Sequence, residues 1–124
     1  MRTTLFLIPI ITFLACNKSN DVTTVDLIEN TEWYYESSNN FNLRIEFADA
    51  NTTFSQTLLN SQCGSDLELL ETGTYRVVED KDEIILLSDG FATVYDIISI
   101  SKARFEVTQQ DDSQNNFILR PDCN

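Results

Sequence analysis

The sequence predicts an all-β domain: about eight antiparallel strands closed into an up-and-down barrel, entered through one short helical turn. Three observations predict it. From Thr31 onward apolar and polar residues alternate with a period of two, the pattern of half-buried strands. The connections between the alternating runs are short, which makes consecutive strands antiparallel neighbours. Eight such strands close most easily on themselves, because closure removes exposed edges. A two-sheet β-sandwich is the alternative.

Taken in order, residues 22–30 place Val25, Leu27 and Ile28 among Asp26 and Glu29, which suits one helical turn. Trp33 and Tyr35 share a face of the first strand. Leu43, Ile45 and Phe47 alternate with Asn42, Arg44 and Glu46 in the second. Residues 48–51 are turn-like, and Phe54, Gln56 and Leu58 mark a third strand. Residues 62–66, with Cys63 and Gly64, read as a loop. Gly73, Tyr75 and Val77 then alternate with Thr74, Arg76 and Val78. Glu79, Asp80, Lys81 and Asp82 form a charged turn into a strand over residues 83–87. Asp89-Gly90 is a hairpin signal, because a type I′ turn needs positive φ at both central residues. Residues 91–100 follow, with Tyr95 and Ile97 on the inner face. After a turn at Ser101 and Lys102, Phe105 and Val107 point one way and Arg104 and Glu106 the other. Residues 109–115 read as a polar loop, and residues 116–120 close the domain.

A chain of 124 residues holds one domain, and 42% hydrophobic with 10% aromatic residues can fill its core. The formal net charge is −12. Such an excess of negative charge repels nucleic acid and anionic membrane surfaces, so no nucleic-acid partner is expected. It leaves a solvated surface, or a docking surface for a cationic partner.

One positive charge, Arg2, precedes the apolar run Leu5 to Leu14, the layout of a signal peptide. The run is too short to span a bilayer comfortably and carries Pro9 in its middle. The run ends in Phe13 and Leu14, with Ala15 and Cys16 next, and this resembles the lipobox of bacterial lipoproteins, although Phe13 stands where that motif most often has Leu. The resemblance implies that Cys16 is acylated and becomes the first mature residue; ordinary signal cleavage with an unmodified Cys16 is the alternative. Several acyl chains anchor a protein stably without spanning the membrane. The expected division is a signal peptide over 1–15, lipidated Cys16 with a polar tether over 16–24, and a barrel over 25–124. Export implies an oxidising compartment, and with Cys16 lipidated, Cys63 and Cys123 remain as a pair for a disulfide. Free thiols too far apart to bond are the alternative.

An early Trp33, then Ile45, Glu46 and Phe47 with Phe54, then Gly73, Thr74 and Tyr75, and a final Phe117 to Arg120 run follow one another. That order resembles the small lipocalin-like domains of bacterial lipoproteins and covers residues 27–120. Thr31 stands where lipocalins proper have the Gly of their G-x-W motif. The resemblance implies that Arg120 packs over the indole of Trp33 at a closed barrel end, as a cation–π contact. It also implies attachment to the outer membrane of a Gram-negative envelope.

Catalytic chemistry is disfavoured by exclusion, so the expectation is not an enzyme, with no catalytic residues and no cofactor. The chain has no His, no nucleophile elbow and no phosphate-binding loop. Glu79, Asp80, Asp82 and Glu83, and separately Asp111 and Asp112, lack the spacing and the bend of a calcium loop, so no metal is expected. What remains is the interior. Trp33, Phe47, Phe54, Tyr75, Tyr95, Phe105 and Phe117 are expected to point inward, as a packed core or as the lining of a small apolar ligand site. Two functions follow: a lipid-anchored binding module for a small hydrophobic ligand, or a solid-cored envelope interaction protein that uses its acidic surface.

Overall fold

In the computed structural model, residues 22–36 and 42–122 are described, the side chains of residues 113 and 114 excepted. One helical turn, α1 (Thr24–Ile28), precedes eight strands: β1 (Thr31–Glu36), β2 (Leu43–Phe47), β3 (Thr53–Leu59), β4 (Asp66–Val78), β5 (Glu83–Ser88), β6 (Phe91–Ile100), β7 (Phe105–Gln109) and β8 (Asp112–Arg120). Each strand pairs antiparallel with the next, and β8 pairs with β1, so the sheet is a closed barrel in sequence order. The predicted barrel is the observed one, and the sandwich alternative does not apply.

Inward positions follow the sequence alternation. Trp33, Ile45, Phe47, Tyr75, Val77, Ile84, Leu86, Phe105, Val107 and Leu119 form the core together with Ile28 of α1. Glu32, Arg44, Glu46 and Arg76 lie between them on the outer wall. Apolar inside and polar outside is the reverse of the alternation that a membrane-spanning barrel presents to lipid. The tight turns use left-handed residues: Asp89 (φ 51°) and Gly90 (φ 80°) make the predicted β5–β6 hairpin, and Asp82 (φ 52°) ends a 3-10 turn over Glu79–Lys81.

Three local expectations need correction. In β3 the buried residues are Phe54, Thr57 and Leu59, not an unbroken Phe54, Gln56, Leu58 series. A register shift between Gln56 and Thr57 reverses the phase of the alternation there. The polar loop expected over 109–115 is a tight turn at Gln110 and Asp111, because β8 begins at Asp112 opposite Gln109. β4 begins at Asp66, where a loop was expected to end, and its first seven residues are all exposed.

Candidate functional site

The two ends of the barrel differ, and the α1 end is the closed one. Thr23 and Asp26 cap α1 reciprocally: the Thr23 hydroxyl accepts from the Asp26 amide (3.3 Å) and the Asp26 carboxylate from the Thr23 amide (3.1 Å). Those hydrogen bonds hold the Asp26 carboxyl below its ordinary pKa. Across the barrel end, the Glu79 carboxylate accepts from the amides of Thr24 (3.0 Å) and Val25 (2.9 Å). That satisfies the first turn and ties it to the β4–β5 connection. Ile28 is fully buried as the plug.

Trp33 sits beneath this plug. Its indole N–H donates to the Thr31 hydroxyl (2.8 Å), which donates onward to the Ile28 carbonyl. The Thr31 hydroxyl therefore joins the indole to the end of α1. Phe105 packs against the indole at 5.4 Å between ring centres. The Tyr75 hydroxyl reaches the Ala48 and Asp49 carbonyls, both at 2.9 Å, and its ring packs on Phe47 at 4.9 Å. The Asn51 carboxamide accepts from the Val77 amide (2.8 Å).

The expected stack of Arg120 on Trp33 is not formed. Arg120 is registered opposite Tyr34, and Leu119 opposite Tyr35, so Arg120 belongs to the outer face while Trp33 points inward. The guanidinium instead meets Glu36, Nε to Oε1 at 2.6 Å, along the β1–β8 seam.

Inside the barrel the side chains leave a cavity of ≈ 20 Å³. That is room for about one water, far below the few hundred Å³ of a small-molecule site. Four of the seven expected lining residues, Phe47, Tyr95, Phe105 and Phe117, do border it. Trp33, Phe54 and Tyr75 are buried elsewhere in the packing. Tyr35 and Tyr95 close on Phe117 edge to face, at 5.6 and 6.1 Å. Burial pushes both phenols above their ordinary pKa, and the Glu71 carboxylate adds to the shift.

The acidic turns have structural partners. Besides the cap made by Glu79, Glu83 accepts from the Gln110 side chain (2.6 Å), which also reaches Asp96 (2.9 Å). Among the described residues no group of three or more potential metal ligands converges. On the outer wall, Arg44 grips Asp66 with both guanidinium nitrogens (2.8 and 3.1 Å) and meets Glu46 at 3.0 Å. This fork fixes the start of β4 and holds the Asp66 carboxyl below its ordinary pKa.

The open end carries what sequence reasoning missed. β4 pairs with β3 from Asp66 through Thr74 but with β5 only from Thr74 through Val78. Gly73 marks the parting: a Cβ there would stand 2.0 Å from the Leu87 carbonyl oxygen. Above it Leu67, Leu69 and Leu70 are 62%, 60% and 46% exposed. The available signal was the run from Leu67 to Thr72, which has no Gly, Pro, Asn, Asp or Ser and places three leucines among Glu68 and Glu71. Cys63 lies in the β3–β4 turn at φ 54°. Cys16 and Cys123 lie outside the described residues.

No family model, curated protein or solved structure matches the chain. Among the described residues, no helix is long and apolar enough to cross a membrane.

Proposed function

We propose that this chain is an envelope lipoprotein anchored by lipid on Cys16, with a lipocalin-like barrel that serves as a solid scaffold and an acidic surface that docks a cationic partner protein. The filled interior carries this reading over ligand carriage. A cavity of ≈ 20 Å³ cannot hold even a small apolar ligand without repacking. Charge supports the docking half: after Cys16 the sequence has seven basic residues against twenty acidic ones. The signal-like leader and Cys16 support the anchor, and the resemblance to lipocalin-like lipoproteins supports an outer-membrane site.

The experiment separates the parts. Native mass spectrometry of the protein purified from cells should show the acylated chain without a co-purifying small molecule; a retained ligand would sink the scaffold reading. Cys16→Ser should release the protein from the membrane fraction and abolish palmitate labelling. A disulfide between Cys63 and Cys123 belongs to the same proposal, supported by the export leader and by the even pair that remains once Cys16 carries lipid. Non-reducing peptide mapping should recover residues 63 and 123 in one linked species. Recovery of a Cys16–Cys63 link would overturn both the disulfide and the lipid.

A further inference from the structure

We propose that residues 66–71 of β4 form a docking edge on which a basic, extended segment of a partner protein adds as a further strand. This rests on the scaffold reading and gives its partner surface a place and a chemistry.

Four observations converge there. First, the ladder is one-sided. Residues 66–71 pair with β3, and among the described residues no strand lies on their other side. An edge of that kind presents amide and carbonyl groups ready to pair with an incoming strand. Second, the edge is apolar where a solvated strand would be polar, because Leu67, Leu69 and Leu70 are exposed. Third, the register jumps from Glu71 to Leu69 and from Glu68 to Asp66, so Leu70 and Leu67 are the extra residues of two bulges. Bulges re-aim side chains and twist an edge, which disfavours pairing with a rigid, flat edge and suits a flexible segment that can follow the twist. Fourth, Glu68, Glu71 and Asp89 surround the leucines, and none of them makes an ion pair among the described residues. Leu69, Leu70, Glu71, Thr72 and Asp89 line one shallow notch at this place.

Charge selects the occupant. A second copy would bring the same carboxylates against these, and like charges facing across a strand pair are destabilising. An anionic lipid surface meets the same repulsion. A strand that alternates Lys or Arg with apolar residues satisfies all three features: its backbone completes the ladder, its apolar side chains cover the leucines, and its cations meet the carboxylates.

The test uses the full chain in detergent and a nine-residue peptide alternating Lys and Val. An alternating Glu and Val peptide and a block peptide of the same Lys and Val composition serve as comparisons. The alternating Lys peptide should bind at least about tenfold tighter than either, weaken as salt rises, and slow amide exchange at residues 66–71. Leu69→Asp should weaken it about tenfold, while Ile98→Asp, at an exposed bulge on β6, should not. The double change Glu68→Lys with Glu71→Lys should reverse the preference toward the Glu peptide. Salt-sensitive binding without protection at residues 66–71, or equally weakened by Ile98→Asp, overturns the edge but leaves the acidic docking surface standing. Failure of every basic peptide to bind overturns both. Concentration-dependent self-association that protects residues 66–71 makes the occupant a second copy and overturns the proposal.

Discussion

The closed end of the barrel and its open end are built from the same strands by opposite rules. At the closed end, polar groups far apart in sequence satisfy one another, Glu79 holding the first turn of α1 and Tyr75 the β2–β3 turn, and Thr31 adds a local link from Trp33 to Ile28. At the open end, β4 runs past its β5 neighbour with leucines exposed and, among the described residues, a ladder on one side. The difference teaches where stability is concentrated and where sequence is free to serve an interaction. An end crossed by long-range hydrogen bonds is costly to alter; an end with exposed side chains is not.

The largest expected effect comes from breaking the closed end at its centre. Trp33→Ala removes the indole beneath the plug and should cost about 3–5 kcal/mol, read as a lowered denaturant midpoint. Alkaline pH should come next and act on both ends. Tyr35, Tyr75 and Tyr95 all have phenols raised by burial. A raised folded pKa gives stability that is complete below the ordinary phenol range near 10 and lost as pH climbs through the folded values. Phenolate absorbance should therefore rise together with loss of the folded circular dichroism signal. If it rises well before unfolding, the three rings are not packed as described.

At the boundary between the ends, Gly73→Ala forces a methyl against the Leu87 carbonyl and should cost about 1–3 kcal/mol. Glu79→Ala frees two amides of α1 and should cost about 0.5–2 kcal/mol, with faster amide exchange confined to α1. The smallest effect belongs to the open end: Leu69→Ser should stay within about 0.5 kcal/mol of the parent. A large loss there would erase the contrast, because it would make Leu69 part of the core.

Much of the barrel was legible because alternation and turn chemistry are local. Leu43 to Phe47 and Phe105 to Val107 declare their inward faces in sequence, and Asp89-Gly90 declares its turn. What stayed illegible depends on register. The phase change at Gln56 comes from a bulge, and a bulge is fixed by the partner strand rather than by its own residues. Residues 66–71 do not alternate cleanly, because both faces of that segment are exposed and nothing imposes a period of two. The solid interior was likewise beyond composition: seven aromatics suit a packed core or a ligand lining, and the cavity of ≈ 20 Å³ that four of them border decides. Arg120 was misplaced for a related reason. One residue of register decides whether it shares a face with Trp33 or with Tyr34, and it shares one with Tyr34.

The seam between β1 and β8 has a consequence for how the molecule comes into being. It is a short clasp, three residue pairs with the Arg120–Glu36 contact across it, and it joins the first strand of the barrel to the last. Its two sides are separated by 84 positions, so the ring closes only after the whole chain is available. Loops of that length close slowly, and until they do β1 and β8 are raw edges. A chain cut short before β8 is therefore not a smaller barrel but an open ribbon, and the last nine residues of the sheet decide whether the other seven strands become a ring.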